Sequence, residues 1–318
     1  MNIVLDSLLP IFGLMLLGAL SKKTNILGKN SDKVISRFVL YFALPAILFI
    51  AVAEAPIEKL MNIKFIIISA IILGAFYTII FIASYLAEKS APISSLRSLA
   101  LSFPNTAFMG IQILLSLFGE KSLLPLAMIN LLTTILFCCT ILVLELTEKK
   151  QPKSRQIHKK LLKIMIKQPI MLAIIAGIII SALKIHLPMV LSGFCHQLGE
   201  TAGPCAMFIL GEKLLDIKFN SFFNRATTLG CVLKLIIMPT VTLIMMLVFH
   251  VNPFWAACGF LLMSLPCASS TYMIAVDKKL YIKESSELII VSTIVSFISL
   301  SVIILLIQNI WPTVHFII

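Results

Sequence analysis

Long apolar runs, each closed by a charge, a glycine or a proline, alternate along the chain with short polar segments. Ten of them fall at about 3–20, 33–53, 63–87, 94–118, 123–146, 169–185, 189–212, 225–250, 254–275 and 286–310. A helix crossing a hydrocarbon core needs roughly 20 mostly apolar residues. The sixth run is short and lies between Pro169 and Pro188. The longest polar stretch, 147–168, carries eight basic residues and reads as a connector between two halves. The pattern predicts an all-α polytopic membrane protein of ten transmembrane helices. Residues 1–146 form a first five-helix unit, 147–168 a connector and 169–318 a second five-helix unit.

Five spans per half is an odd number, so the second half must run through the bilayer upside down relative to the first. The prolines support a repeat: Pro10 and Pro169 are 159 residues apart, Pro45 and Pro204 are 159 apart, and Pro104 and Pro266 are 162 apart. Each pair falls in corresponding runs of the two halves. Two inverted five-helix repeats form an architecture common among secondary transporters.

The fourth and ninth runs hold the most informative chemistry. One reads Ser102-Phe103-Pro104-Asn105-Thr106 and the other Ser264-Leu265-Pro266-Cys267-Ala268-Ser269-Ser270-Thr271-Tyr272. A proline inside a helix removes an N–H and displaces the carbonyl four residues back. In hydrocarbon the freed backbone groups need a partner from protein, water or ligand. Both prolines fall near the membrane midplane. The sequence is compatible with two ordinary kinks, or with crossed, proline-broken helices 4 and 9 whose ends enclose a cavity. The cavity reading nominates Pro104, Asn105, Thr106, Pro266, Ser269, Ser270 and Tyr272 as substrate-binding residues.

Composition narrows the class. Apolar residues make up 59% of the chain and charged ones 13%, against about 25% charged in soluble domains, and the mean hydropathy is +1.05. This excludes a soluble enzyme, a disordered chain and a disulfide-built secreted scaffold, and it leaves no room for a large extramembrane domain. The net charge of +12 is distributed by side. Alternate loops hold 21 and 4 basic residues, with Lys234 inside a span. By the positive-inside rule both termini lie outside, in the periplasm of an inner-membrane protein, and the connector lies in the cytoplasm. The charge is thus a membrane-face signature and not a nucleic-acid footprint. The N-terminal flank, Met1 to Ser7, contains Asp6 and no basic residue, unlike a cleavable signal.

Seven cysteines lie within or at the edges of the runs without a C-x-x-C, as packing residues and not as metal ligands. No P-loop and no H-E-x-x-H occurs, and no cofactor, metal or catalytic residue is expected. Glu200 in the seventh run falls near midplane, where an ionisable group is costly unless it is paired or hydrated. His196, four residues back, is expected as an interfacial or packing residue. Lys234 in the eighth run could balance Glu200, attract an anion or snorkel to the interface. Asn130, Thr133 and Thr134 suit hydrogen bonds between helices, and Glu145 and Glu212 are expected to be solvated at helix ends.

Taken in order, Val39-Leu40-Tyr41-Phe42-Ala43-Leu44-Pro45, Pro104-Asn105-Thr106 with Met109-Gly110, Leu198-Gly199-Glu200-Thr201-Ala202-Gly203-Pro204, and Leu265-Pro266 with Tyr272-Met273-Ile274-Ala275 resemble the auxin efflux carrier family. That family includes the malonate and malate permeases and is related to the plant PIN carriers. The resemblance spans nearly the whole chain. It implies a scaffold domain, a transport domain with two crossing helices, elevator-like movement and a small organic anion, a mono- or dicarboxylate, held beside the crossing. It also implies an acidic residue at Glu200 and a basic one at Lys234 in coupling or charge balance, with H+ or Na+ as the coupling ion. A homodimer is compatible with it. Phe103, Ala107 and Cys267 depart from the plant pattern Asn-Pro-Asn-Thr-Tyr and argue against indole-acetate as substrate. The rival readings are a sodium-coupled bile-acid-type symporter and a passive pore or membrane scaffold.

Overall fold

The computed structural model describes residues 2–60, 62–147, 168–216 and 224–316. The connector expected at 147–168 lies almost wholly outside the described residues. Every regular element described is helical. In the first half α1 spans Asn2–Thr24, α2 Ser31–Ala53, α3 Ile63–Glu88, α4 Ala91–Ser102, α5 Thr106–Phe118 and α6 Leu123–Leu146. In the second, α7 spans Pro169–Ala182, α8 Met189–Glu200, α9 Ala202–Asp216 and α10 Arg225–Val248. It ends with α11 Pro253–Met263, α12 Ser270–Lys278 and α13 Ile282–Ile310.

Five stretches are continuous apolar helices of membrane-crossing length: α2, α3, the turn at Glu120–Ser122 together with α6, α10, and α13. The fourth and ninth apolar runs are each split in two, and the sixth forms only 14 helical residues. Local chemistry sets these ends. Asn62, Asn224 and Asn252 accept backbone N–H bonds at the starts of α3, α10 and α11, satisfying donors that a helix leaves free. Pro92, Pro169 and Pro253 occupy first turns, where the missing N–H costs nothing. Gly119, at φ 64°, ends α5 in a backbone conformation that side chains disfavour.

Packing divides the helices into two bundles. In the first, α1 runs along α9, and α2 lies against α7 and α8. Its contacts are close: a Cβ on Gly18 would overlap the Phe208 carbonyl, and one on Gly211 the Met15 carbonyl. Small residues of this kind let backbones approach where lipid offers no hydrophobic drive for helices to associate. In the second bundle, α3 packs on α4 and α6, α10 on α3 and α11, and α13 on α10 and α12. Phe65 of α3 is fully buried and meets the Trp255 ring edge-on at 5.0 Å. The seam between the bundles is formed by α1 and α9 against α5, and by α2 and α7 against α6.

Three helices carry a π-helical turn, at Val39–Ala43, Thr106–Gly110 and Leu233–Ile237. Such turns are frequent at functional sites. The first two face the cavity described next through Leu40, Tyr41 and Thr106, and the third carries Lys234.

Candidate substrate site at the helix crossing

The two proline breaks meet. Pro104 and Cys267 face each other as an antiparallel β-bridge, the Asn105 N–H donates to the Pro266 carbonyl at 3.0 Å, and the Ala268 N–H donates to the Phe103 carbonyl at 3.1 Å. Each unwound segment thus satisfies backbone groups of the other, as an embedded chain requires. Four helix ends converge here: the C-terminal ends of α4 and α11, with partial negative charge, and the N-terminal ends of α5 and α12, with partial positive charge.

A cavity of about 430 Å³ lies at this crossing, within the seam. Pro104, Asn105, Thr106, Ser269 and Ser270 line it, together with Leu40 and Tyr41 of α2 and Pro169 and Ile170 of α7. It extends along α6 past Asn130, Thr133, Thr134 and Phe137 to a rim at Gln168, Asp277 and Lys278. Glu145, near the end of α6, pairs with Lys278 at 3.3 Å. The rim therefore lies on the connector side.

Two buried donors that line the cavity have no partner among the described residues, the Asn105 side-chain Nδ2 and the Ser269 hydroxyl; the Ser102 and Thr271 hydroxyls beside the breaks are also unpartnered but do not line it. Asn105 is 1% exposed. A buried donor left unpaired costs roughly 1–3 kcal/mol, a cost that a ligand oxygen would remove. Thr106 is committed elsewhere, donating to Asn130 Oδ1 at 2.8 Å, and Thr134 donates to Gln168 Oε1 at 3.2 Å. These bonds hold the first break to α6 and tie α6 to the start of α7.

The remaining residues singled out by sequence fall elsewhere. Pro266 is at the crossing, where its carbonyl accepts from Asn105, but it does not line the cavity. Tyr272 packs against a second apolar cluster of Ala100, Leu101, Cys231 and Leu288, away from the cavity. Glu200 is exposed at the end of α8, with no ion pair to Lys234. Lys234 is completely buried and does not snorkel; its Nζ lies 3.2 Å from Met238 Sδ, beside Cys267 on the far side of the crossing. Glu145 and Glu212, expected to be solvated, are 6% and 0% exposed. The Lys278 pair shields the first, and the Ser31 hydroxyl donates to the second at 2.9 Å. His196, expected as an interfacial or packing residue, is partly exposed and faces two carboxylates. Gln168, Phe137 and Lys278 were missed as site residues, since they reach the cavity only through the packing of α7 and α12 on α6. The connector side also carries a pair between Arg97 and Glu88, with the Arg97 guanidinium 5.4 Å above the Tyr281 ring. Burial pushes the Tyr281 hydroxyl up to about 12, the guanidinium opposing it only in part.

The chain matches a known family over nearly its full length. A family profile described as "Membrane transport protein" covers residues 3–304. A protein named "Putative malonate transporter" from Rhizobium meliloti (strain 1021) is 24% identical over 306 residues, 95% of each chain. The "Uncharacterized transporter YfdV" of Escherichia coli (strain K12) is 23% identical over 294 residues, 91% of this chain and 93% of its own. An "Uncharacterized transporter" of Methanothermobacter thermautotrophicus is 24% identical over 300 residues, 93% of this chain and 95% of its own. With helices long and apolar enough to cross a bilayer and a match spanning both halves, the chain belongs to the membrane transport protein family, that of the auxin efflux carriers.

Proposed function

We propose that the protein is a secondary transporter of a small organic anion, a mono- or dicarboxylate, bound beside the crossing and carried by movement of the second bundle against the first. The observation that carries this reading is the pair of unpartnered buried donors, Asn105 Nδ2 and Ser269 Oγ, on a cavity in the seam between two bundles. A carboxylate accepts hydrogen bonds only and matches two free donors placed where two helix N-termini point. Half-helices meeting at midplane are how many transporters hold charged solutes without lipid-exposed polar backbone.

In this reading ten spans form two inverted five-helix repeats, with the connector in the cytoplasm and both termini outside. The cavity then opens to the cytoplasm. Lys234 places its buried amine behind the crossing, beside Cys267, and is the cation of this reading. A sodium ion is therefore not needed there, which favours proton coupling over the sodium-coupled alternative. Glu200, whose side chain has no ion pair or hydrogen bond among the described residues, is the group offered for that proton. Malonate is the first substrate to try, given the name of the Rhizobium relative.

Purified protein in proteoliposomes preloaded with unlabelled malonate, or with another mono- or dicarboxylate, should show saturable counterflow of the labelled anion without sodium. Flux proportional to concentration, with no trans-stimulation across the whole acid panel, would mark a passive pore. Glu200→Gln should retain counterflow and lose accumulation driven by a pH gradient. Single cysteines at Lys283 and Lys121 should label from opposite faces of the membrane.

A further inference from the structure

At the end of the molecule opposite the connector, ionisable groups from both bundles converge. Glu54 follows the last residue of α2, Glu120 lies in the turn before α6, and His196 is on α8. His196 Nε2 stands 3.6 Å from Glu54 Oε2, and its Nδ1 stands 3.5 Å from Glu120 Oε1. Ser192, one turn back on α8, donates to the other Glu54 oxygen at 2.5 Å. Glu54 and His196 belong to the first bundle, whereas Glu120 is carried by the second. The contact between His196 and Glu120 therefore crosses the seam.

Its position along the membrane normal follows from α6. That helix starts three residues after Glu120 and ends just past Glu145, which pairs with Lys278 at the cavity rim. Its 24 residues at about 1.5 Å each span about 36 Å. The histidine bridge and the cavity rim thus lie at opposite ends of one helix. The bridge joins the bundles on the side where the cavity does not open.

A neutral imidazole has one N–H and can donate to one of the two carboxylates; the protonated ring donates to both. Imidazole is also the side chain whose charge ordinarily changes between about pH 5 and 8. The other charged neighbours are Lys184, His186 and Glu58, which share a hollow with Glu54, and Lys121, which follows Glu120 in the chain. Cys195, next to His196, is near Glu54. Among the described residues, His196 is the basic side chain within ion-pair distance of Glu120, and it is charged only when protonated. The two ring nitrogens face separate carboxylates, one on each side, and not a shared point, so the arrangement is a bridge and not a metal cage.

We propose that His196 is a proton-sensitive latch that ties the two bundles together on the face opposite the connector while the cavity is open on the connector side. Protonation completes the bridge. As pH rises through the imidazole range, the ring can hold one carboxylate only, and the Glu120 contact is released. Acid on that face therefore favours the state seen here, and alkali favours its opening. The side chains are 31%, 46% and 66% exposed for His196, Glu54 and Glu120, so solvent reaches the latch and its effect is modest, about fivefold in the ratio of states. The latch rests on the reading that the bundles move against each other.

The test needs no substrate. Azide-bearing residues at Met189 on α8 and Lys64 on α3, both exposed and outside the latch, can carry spin labels in lipid nanodiscs. Pulsed electron resonance then reads the distance between bundles. One distance should dominate at pH 5.5, and the ratio of a second population to it should rise about fivefold by pH 8. His196→Gln should remove the pH response. Glu120→Gln should remove it too with the histidine in place, which guards against a folding artefact of the first variant. Two populations indifferent to pH in the unmodified protein, or a response that survives His196→Gln, would overturn the latch alone. A single distance at every pH would overturn the latch and the moving-bundle reading together.

Discussion

The two halves of the crossing share a backbone and differ in chemistry. Each is a proline-broken helix, and each satisfies the other through paired backbone bonds. At the first break the proline is followed by Asn105, whose buried amide nitrogen has no partner among the described residues, and by Thr106, braced from α6 through Asn130. At the second break Cys267 takes the place of the amide. Its N–H donates to the Ser292 hydroxyl of α13 at 3.2 Å, and the buried ammonium of Lys234 lies behind it. Backbone symmetry builds the crossing, and side chains then assign different tasks to the two arms. The first arm faces the cavity. The second also lines the cavity, through Ala268, Ser269, Ser270 and Met273, while Cys267 is turned toward Ser292 and Lys234.

The sharpest way to break that division is to remove the amide. A hydrogen bond from a neutral donor to a charged acceptor is worth about 1.5–3 kcal/mol, or roughly 10–100-fold in affinity. Asn105→Ala should weaken binding of the transported acid by that much while the melting temperature stays near that of the parent protein. Cys267→Ala should change affinity by less than about twofold. Isothermal titration with the acid identified by counterflow compares the two, and equal losses would erase the distinction between the arms.

Lys234→Met tests the other side. Methionine matches the length of the lysine stem, and replacing a buried charge by an apolar chain of similar volume is often neutral or stabilising. The variant should therefore fold with an undiminished melting temperature. If the ammonium balances the crossing, exchange should nevertheless fall by about tenfold, because the negative ends of α4 and α11 would lack a counter-charge. A stable Lys234→Met protein that exchanges normally would reduce the lysine to a passenger.

Much of this was legible in the sequence, because the signals were local. Apolar runs, prolines and the sided lysines are read residue by residue, and the breaks alone nominate Pro104, Asn105, Thr106, Ser269 and Ser270, which line the cavity. Long-range packing was not legible. Gln168 reaches the cavity because α7 starts against α6, and Lys278 because α12 ends beside Glu145. The same holds for burial at helix ends: Glu212 is covered by Ser31 of α2, 181 positions away. Pairing with Glu200 is one of three options for Lys234 in the sequence, because each lies well inside an apolar run. The fold sends one to an exposed helix end and the other behind the crossing.

A smaller effect is expected from the brace on the first arm. Thr106→Val deletes the hydroxyl that donates to Asn130 and keeps the shape. Asn130 retains its own bond to the Leu126 carbonyl at 3.0 Å, so its amide stays oriented and only the acceptor Oδ1 loses a partner. The loss should be about 1 kcal/mol, seen as about fivefold weaker binding through a less ordered Asn105. A double-mutant cycle of Thr106→Val with Asn130→Ala should recover a coupling of about that size. Strict additivity would show that Asn130 serves the cavity independently of the break.

Tyr272 should matter least, and it is the most direct check on how far the cavity extends around the second arm. It sits two residues into α12, close in sequence to Ser269 and Ser270, and the motif alone suggests a binding hydroxyl. The helix turns that position away from the cavity, and the ring is half-buried against Ala100, Cys231 and Leu288. Tyr272→Phe keeps the ring and its packing and removes only the hydroxyl, so neither the cluster nor the break should move. Affinity should change by less than about twofold, and stability should stay within about 0.5 kcal/mol, as for changes that leave packing intact. A tenfold loss of affinity with an unchanged melting temperature would mean that the solute touches both faces of the second arm. The two arms would then share recognition equally, and the contrast between a binding arm and a supporting arm would fail.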